Sequence, residues 1–244
     1  VEAITQFLPS YAGLLMMAEI QALGAALEHP ERPVMAIAGG SKVSTKIGVL
    51  TNLTARMDAL VLGGGMASTF LFAQGVEIGK SLCQPEAVPT VKAIMARAKE
   101  FGCEIILPKD FVVAKELKAG AEWQVCTADN IPPDGMIVDI GPATVADLKK
   151  RFAEMKTILW NGPVGAFEYD PFGEGTFALV REAAKLAKAG KLTVIAGGGD
   201  TVAALNITGT ADDFTYVSTA GGAFLEWLEG RELPAVVALA KAGG

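Results

Sequence analysis

Histidine occurs once in this 244-residue chain and cysteine three times, and no apolar run reaches the roughly 20 residues a membrane-spanning helix needs. Each scarcity excludes something. His29 sits beside Pro30 in a segment that reads as a loop, so Ser-His-Asp catalysis and histidine-rich metal sites are poor candidates. Cys83, Cys103 and Cys126 show neither close pairing nor metal-ligand spacing, which speaks against a disulfide scaffold and for a reducing, cytoplasmic setting. Basic residues are outnumbered, and the net charge of −6 argues against nucleic acid or an anionic membrane as the main partner. The first residues lack the basic start and small-residue cleavage site of a signal peptide. They also lack an initiator methionine and open in mid-pattern, so the chain reads as a fragment. The sequons at Asn52 and Asn206 are read as chance.

What the chain has instead is apolar content, 51%, and glycine, 28 residues without a collagen-like period. Short continuous apolar runs predict strands buried on both faces at Val34–Ala38, Ala59–Leu62, Glu104–Leu107, Met136–Ile140, Thr157–Trp160 and Leu192–Ala196, with a seventh at Thr215–Val217. Helical patterns lie between them, over 42–56, 66–74, 85–101, 143–155, 174–189, 200–206 and 221–229. The alternation predicts a doubly wound α/β domain, a mainly parallel sheet flanked by helices in a Rossmann-like three-layer arrangement. Residues 108–134, rich in Lys, Asp and Pro, interrupt the pattern and predict a small strand excursion. A helix is expected over 8–28, opened by Pro9-Ser10, with an apolar stripe at Leu14, Leu15, Ala18, Leu23 and Leu27. After Arg231 a Pro-initiated apolar helix is expected, whose apolar face needs a partner.

Glycines follow the strands directly: Gly39-Gly40, Gly63-Gly64-Gly65, Gly197-Gly198-Gly199 and Gly221-Gly222. Ligands of open parallel sheets bind beyond the carboxyl ends of the strands. Glycine there lets backbone N–H groups approach an anion, and helix N-termini add partial positive charge. One such cluster is as well read as a tight turn; repetition along one edge favours a phosphate or nucleotide site. Two familiar phosphate motifs fail. Gly75 to Ser81 resembles a P-loop but has three residues between its glycines where four are required, and no strand is followed by G-x-G-x-x-G.

The first turn runs Gly39-Gly-Ser-Lys-Val-Ser-Thr-Lys46. With Ser41 as N-cap, Lys42 and Lys46 are expected four apart on one helix face. There they would oppose the helix dipole by roughly a few tenths of a kcal/mol each, a penalty that a bound phosphate reverses; two solvated lysines is the plainer reading. Asp200, after the third cluster, is either an N-cap or a Mg²⁺ ligand, since Mg²⁺ takes one or two carboxylates plus phosphate oxygens. In Trp160-Asn-Gly-Pro-Val-Gly-Ala-Phe-Glu168, Asn161 offers a donor and acceptors and Glu168 could accept from a ribose or be plain surface charge, while Trp160 and Phe167 are expected to pack.

Gly39 to Lys46, Gly63-Gly-Gly-Met66, Trp160-Asn-Gly-Pro-Val-Gly165, Gly197-Gly-Gly-Asp-Thr201 and Ser218-Thr-Ala-Gly-Gly222 stand in the order seen in phosphoglycerate kinase, which the chain resembles over essentially its whole length. It is most similar to the C-terminal, nucleotide-binding half of that glycolytic enzyme. Residues 1–28 then resemble the interdomain helix region, 29–230 the nucleotide domain, and 231–244 a tail that returns to a missing N-terminal domain. The resemblance implies transfer of a phosphoryl group between 1,3-bisphosphoglycerate and MgADP, with ADP or ATP as substrate and Mg²⁺ as cofactor. It implies that Lys46 contacts the nucleotide phosphates, that Lys42 neutralises the phosphoryl in flight, and that Asp200 holds Mg²⁺. Gly198, Gly199 and Thr201 would cradle phosphate, Asn161 would lie near it, Glu168 would bind the ribose, and Gly63 and Gly64 would border the adenine.

Two departures stand out. Ala220 replaces the first glycine of a usual triplet, and the half carrying the phosphoglycerate's basic patch is missing, so 3-phosphoglycerate is expected to bind only through that half. The expectation is a MgADP-binding fragment inactive alone. The alternatives are a stand-alone nucleotide-binding module and, disfavoured by the missing G-x-G-x-x-G, an NAD-binding oxidoreductase domain.

Overall fold

A computed structural model describes residues 2–242. Its main sheet has six strands, all parallel: β1 (Val34–Ala38), β2 (Ala59–Leu62), β3 (Glu104–Ile106), β7 (Thr157–Asn161), β8 (Thr193–Ala196) and β9 (Tyr216–Val217). Their spatial order is β3-β2-β1-β7-β8-β9. The chain therefore winds outward from β1 in one direction, returns to the middle at β7, and winds outward in the other. β1 and β7 flank the point where the order reverses, which is where such sheets leave a crevice.

Burial explains the continuous apolar runs. Every residue of β1, β2 and β7 is buried, because helices cover both faces. Side chains still alternate. Val34, Ala36 and Ala38 join a core with Leu23, Leu50, Phe70 and Phe224, while Met35 and Ile37 join Phe152, Trp160, Leu179 and Leu205 on the other face. The first face carries α1 (Leu14–Leu27), α2 (Ile47–Thr54), α4 (Val88–Phe101) and α8 (Gly222–Leu228); the second carries α5 (Pro142–Glu154), α6 (Glu174–Lys188) and α7 (Gly199–Thr208). Helix α3 (Gly64–Ala73) follows β2, and α9 (Pro234–Ala242) ends the described chain.

The expected excursion is present and larger than expected. β4 (Asp110–Ala114), β5 (Trp123–Thr127) and β6 (Met136–Ile140) form a separate antiparallel sheet in the order β5-β4-β6. Met136–Ile140 was expected in the parallel sheet; its apolar run fits either, and only pairing with β4 decides. Buried Asp110 fastens this sheet to the main body. Its carboxylate accepts from the N–H groups of Ala143 and Thr144 and from the Thr144 hydroxyl, at 2.6–2.9 Å, at the start of α5.

Two helix expectations need correction. The segment 42–56 is a short 3-10 turn (Val43–Thr45) followed by α2, with Lys46 between them at φ −130°. Lys42 and Lys46 are thus not on one helix face, and Ser41 is not an N-cap. The helix over 8–28 begins only at Leu14, after extended Gly13. Of its apolar stripe Leu23 and Leu27 are buried, but Leu14 and Leu15 are exposed, together with Phe7 and Tyr11. The tail helix α9 forms and packs partly on the turn Glu2–Gln6. Glu19 ties α1 to the segment before α8: its buried carboxylate accepts from the Ser218 hydroxyl at 2.8 Å and the Thr219 N–H at 2.7 Å. Ala220 causes no strain there, since among the described residues none but glycine has positive φ.

Candidate functional site

The glycine turns after β1, β2 and β7 interlock. A Cβ on Gly39 would lie 1.7 Å from the Pro163 carbonyl oxygen, so only glycine permits this approach. The Gly39 N–H donates to the Asn161 carbonyl at 2.9 Å, Gly64 N–H to Val164 at 3.0 Å, and Met66 N–H to Gly40 at 3.1 Å. The backbone of three strand ends is thereby welded into one floor.

Lys46 and Asn161 are the polar centre of that floor. The Lys46 Nζ donates to the Gly39 carbonyl at 2.8 Å, to the Asn161 carbonyl at 3.2 Å, and to Asn161 Oδ1. Asn161 Nδ2 donates in turn to the Gly197 carbonyl at 2.9 Å. Burial pulls the Lys46 ammonium down to about 8, and the Asp200 carboxylate works against that shift. Lys46, Asn161 and Asp200 are therefore neighbours in space, although 154 residues separate the first and last. Gly198, with φ +96°, starts α7 beside Asn161, and Gly199 is exposed in open space at that helix's N-terminus. Asp200 is not the N-cap, a position Gly198 holds; it is exposed in the first helical turn. Thr201 is buried, its hydroxyl oxygen accepting from the Gly162 N–H at 2.7 Å, so its resting role is to hold the turn after β7.

Beside this centre runs an open groove of about 330 Å³, at the small end of ordinary ligand sites. Gly40, Gly64 and Gly65 line one part of it, Met136, Ile137 and Val138 of β6 another, and Gly165, Ala166, Glu168 and Tyr169 a third. Leu82 and Leu117 add apolar surface, and Asp200 stands at its border. Of the residues expected from sequence, Gly64, Glu168 and Asp200 border the groove; Lys46, Asn161 and Gly198 form the adjacent polar centre. Gly63 lies behind, where a Cβ would meet Val164, and Lys42 is exposed beside Ser41 of the lining without being part of the lining itself. Trp160 and Phe167 pack as expected.

The β6 wall was not found from the sequence, because β6 was assigned to the wrong sheet. An acid inside its apolar run, Asp139, was the available signal. The groove's side chains include two carboxylates and no lysine or arginine. A polyanion bound there would rely on the helix α7 N-terminus, on Lys46, and on a cation bridging to Asp200. Among the described residues no group of three His, Cys, Asp or Glu could hold a metal by itself. One exposed carboxylate beside a helix N-terminus is a donor set Mg²⁺ can use when phosphate and water supply its other ligands. All six arginines are engaged elsewhere. Arg32, Arg151 and Arg231 pair with Asp58, Glu104 and Glu229; Arg56 bonds Asn52; Arg97 and Arg181 lie over Phe101 and Phe177.

Comparison with known proteins bears on this arrangement. The family model "Phosphoglycerate kinase" matches residues 1–231. Phosphoglycerate kinase of Methylorubrum extorquens (strain PA1) is 57% identical over 242 residues, covering 99% of this chain and 60% of that protein. That of Ruegeria sp. (strain TM1040) is 58% identical over 238 residues, 98% of this chain and 60% of that one. Among solved structures, phosphoglycerate kinase from Coxiella burnetii superposes with a TM-score of 0.91 at 46% identity, over 96% of this chain and 59% of that one. The Pyrococcus horikoshii enzyme does so at 0.82 and 27%, over 98% and 60%. The chain thus spans about three fifths of the length of the relatives it matches. No described helix is long and apolar enough to cross a membrane.

Proposed function

The chain belongs to the phosphoglycerate kinase family, and from that premise we propose that it is the nucleotide-binding half, taking MgADP or MgATP in the groove and facing a separate half that holds the phosphoglycerate. The observation that carries this reading is the convergence of three glycine turns, the start of α7, Lys46 and Asp200 at the switch point of the sheet. Base and ribose would lie between Gly64 and the β6 wall, with Glu168 accepting from ribose hydroxyls. Phosphates would meet the N–H groups of Gly198 and Gly199 at α7, with Lys46 beneath them. Asp200 would hold Mg²⁺, which supplies charge neutralisation between phosphate oxygens. Lys42, exposed next to the turn, would meet the phosphoryl group in transit. Phosphoryl transfer between 1,3-bisphosphoglycerate and ADP needs positioning and charge stabilisation rather than a covalent nucleophile. This residue set offers those two and no histidine or thiol.

Two observations support the assignment of the phosphoglycerate to another part of the protein. No arginine lines the groove, and all six are engaged with this chain. Phe7, Tyr11, Leu14 and Leu15 form an exposed apolar stretch of the kind a further domain covers. The chain alone is therefore expected to bind nucleotide and not to turn over.

Calorimetric titration tests this. MgADP is expected to bind and 3-phosphoglycerate not to. In Asp200→Ala, MgADP affinity is expected to fall about tenfold or more, with much less change for metal-free ADP, because only the metal complex uses the carboxylate. Equal loss for both would make Asp200 a helix-start residue only, and steady turnover by the isolated chain would refute its inactivity.

A further inference from the structure

Asp139 is an acid within the apolar run of β6, 2% exposed, with no role in the phosphate or metal contacts above. Its two oxygens serve different elements. Oδ1 accepts from the Ile140 N–H at 2.8 Å, on its own strand, and Oδ2 from the Gly175 N–H at 2.7 Å, in the first turn of α6. The surroundings are shaped to it: a Cβ on Gly165 would lie 2.0 Å from Oδ1, and one on Gly175 2.6 Å from it. The carboxylate is thus wedged between the two groove walls. Met136, Ile137 and Val138 precede it on one, and the connection from Gly165 to Gly175, which carries Glu168, is the other.

We propose that Asp139, as a carboxylate, is a positioning residue that sets the spacing of these two walls and thereby the affinity of the groove for a nucleoside diphosphate. This rests on the nucleotide reading of the groove. A carboxylate can accept from both N–H groups at once. A neutral acid, or an amide, turns one of its two positions into a donor and sets it against an N–H. One of the two fastenings is then lost; the one to Gly175 crosses between the walls, reinforcing the backbone bond from the Ala166 N–H to the Val138 carbonyl at 2.8 Å.

The charge is also within reach of ordinary pH. Burial pushes the carboxyl up to about 7, the Gly175 and Ile140 N–H groups hold it back, and Glu174 at the start of α6 pushes it further. No base offsets this. β4 contributes Asp110, the connecting loop Glu168, Tyr169 and Asp170, and α6, beyond Glu174, carries Arg181 over Phe177, Lys185 paired with Glu182, and Lys188 paired with Asp213. Because the folded value lies above that of an unfolded aspartate, the folded chain holds a proton between about pH 4 and 7 that the unfolded chain has released. The stability this group contributes is therefore greatest below the unfolded value and falls as pH rises through about 7. Geometry for binding and stability pull in opposite directions.

That opposition makes the test specific. Asp139→Asn is expected to melt at or above the parent at pH 8, yet to bind MgADP about tenfold more weakly there. The ratio of the two affinities should shrink toward one as pH falls through about 7, where the parent loses its charge. Titration of the nucleotide and of Lys46 is common to both proteins and cancels in that ratio. Equal affinity at pH 8, or a ratio independent of pH, overturns the proposal. Should Asp139→Asn fail to fold, exchange of the Gly175 amide in the parent decides. Its protection, corrected for intrinsic exchange, should fall several-fold on acidification from about pH 8 to 6, and unchanged protection overturns the proposal. A parent that binds no MgADP at any pH sinks the nucleotide reading and this inference with it, a different result from binding that ignores pH.

Discussion

Gly39→Ala is expected to cost more than about 4 kcal/mol, a large share of the roughly 5–15 kcal/mol that keeps a typical domain folded. The new methyl would sit 1.7 Å from the Pro163 carbonyl oxygen, 2.6 Å from its carbon and 2.9 Å from the Gly162 carbonyl carbon. All three are backbone atoms and cannot rotate away. Nor can the strands part, because Gly39 N–H bonds the Asn161 carbonyl and the β1–β7 ladder runs along both strands to that point. The clash also lies in the floor of the site, so any fraction that folds should bind nucleotide poorly. Urea denaturation measures the loss. Gly199→Ala is the control: a Cβ there meets nothing within 4 Å and its φ is not left-handed, so its effect should stay within about 0.5 kcal/mol. Similar midpoints for the two variants would mean that the turns do not interlock as described.

Lys46→Met is expected to destabilise the fold by about 2 kcal/mol at neutral pH and to abolish measurable nucleotide binding. Methionine fills the volume but leaves the Gly39 carbonyl and Asn161 Oδ1 without their Lys46 donor, while the Asn161 carbonyl keeps the Gly39 N–H. Unpaired buried acceptors cost about 1–3 kcal/mol each, and relief of a buried charge offsets part of the sum. The pH dependence carries a definite sign. The folded value, about 8, lies below the 10.5 of an ordinary lysine. Between these values the unfolded chain holds the proton and the folded chain does not, so stability from this group rises with pH across that window. Denaturation midpoints of the parent, compared with Lys46→Met over the window, should show the rise only in the parent. An anion placed beside Lys46 raises its affinity for the proton. MgADP binding at about pH 8 should then take up a fraction of a proton, read by calorimetry in two buffers of different ionisation heat. Release of protons, or none exchanged, would place the phosphates elsewhere.

Local pattern carried the parts of the fold in which one answer satisfies every level. The buried runs at Val34–Ala38, Ala59–Leu62 and Thr157–Trp160 could only be interior strands, and the glycines after them could only be close turns, because each local choice agreed with burial on both faces. The family and its motif order were legible for the same reason. Long-range pairing was not. Met136–Ile140 suits either sheet until β4 claims it, and with it went the groove wall and the role of Asp139. Lys42 and Lys46 carry helix spacing in sequence. Three acceptors, on Gly39 just after β1 and on Asn161 at the end of β7, draw Lys46 inward, and the helix starts only after it. Thr201 and Gly63, which the resemblance implies as ligand contacts, also pack the turns that build the floor. The sequence by itself determined the six strands of the parallel sheet, the glycine turns and the family, since these depend on neighbours along the chain. Which polar groups face the groove, and which are consumed in building it, was decided by contacts between residues far apart in the chain, from 36 positions for Asp139 with Gly175 to 115 for Lys46 with Asn161. No local periodicity encodes those.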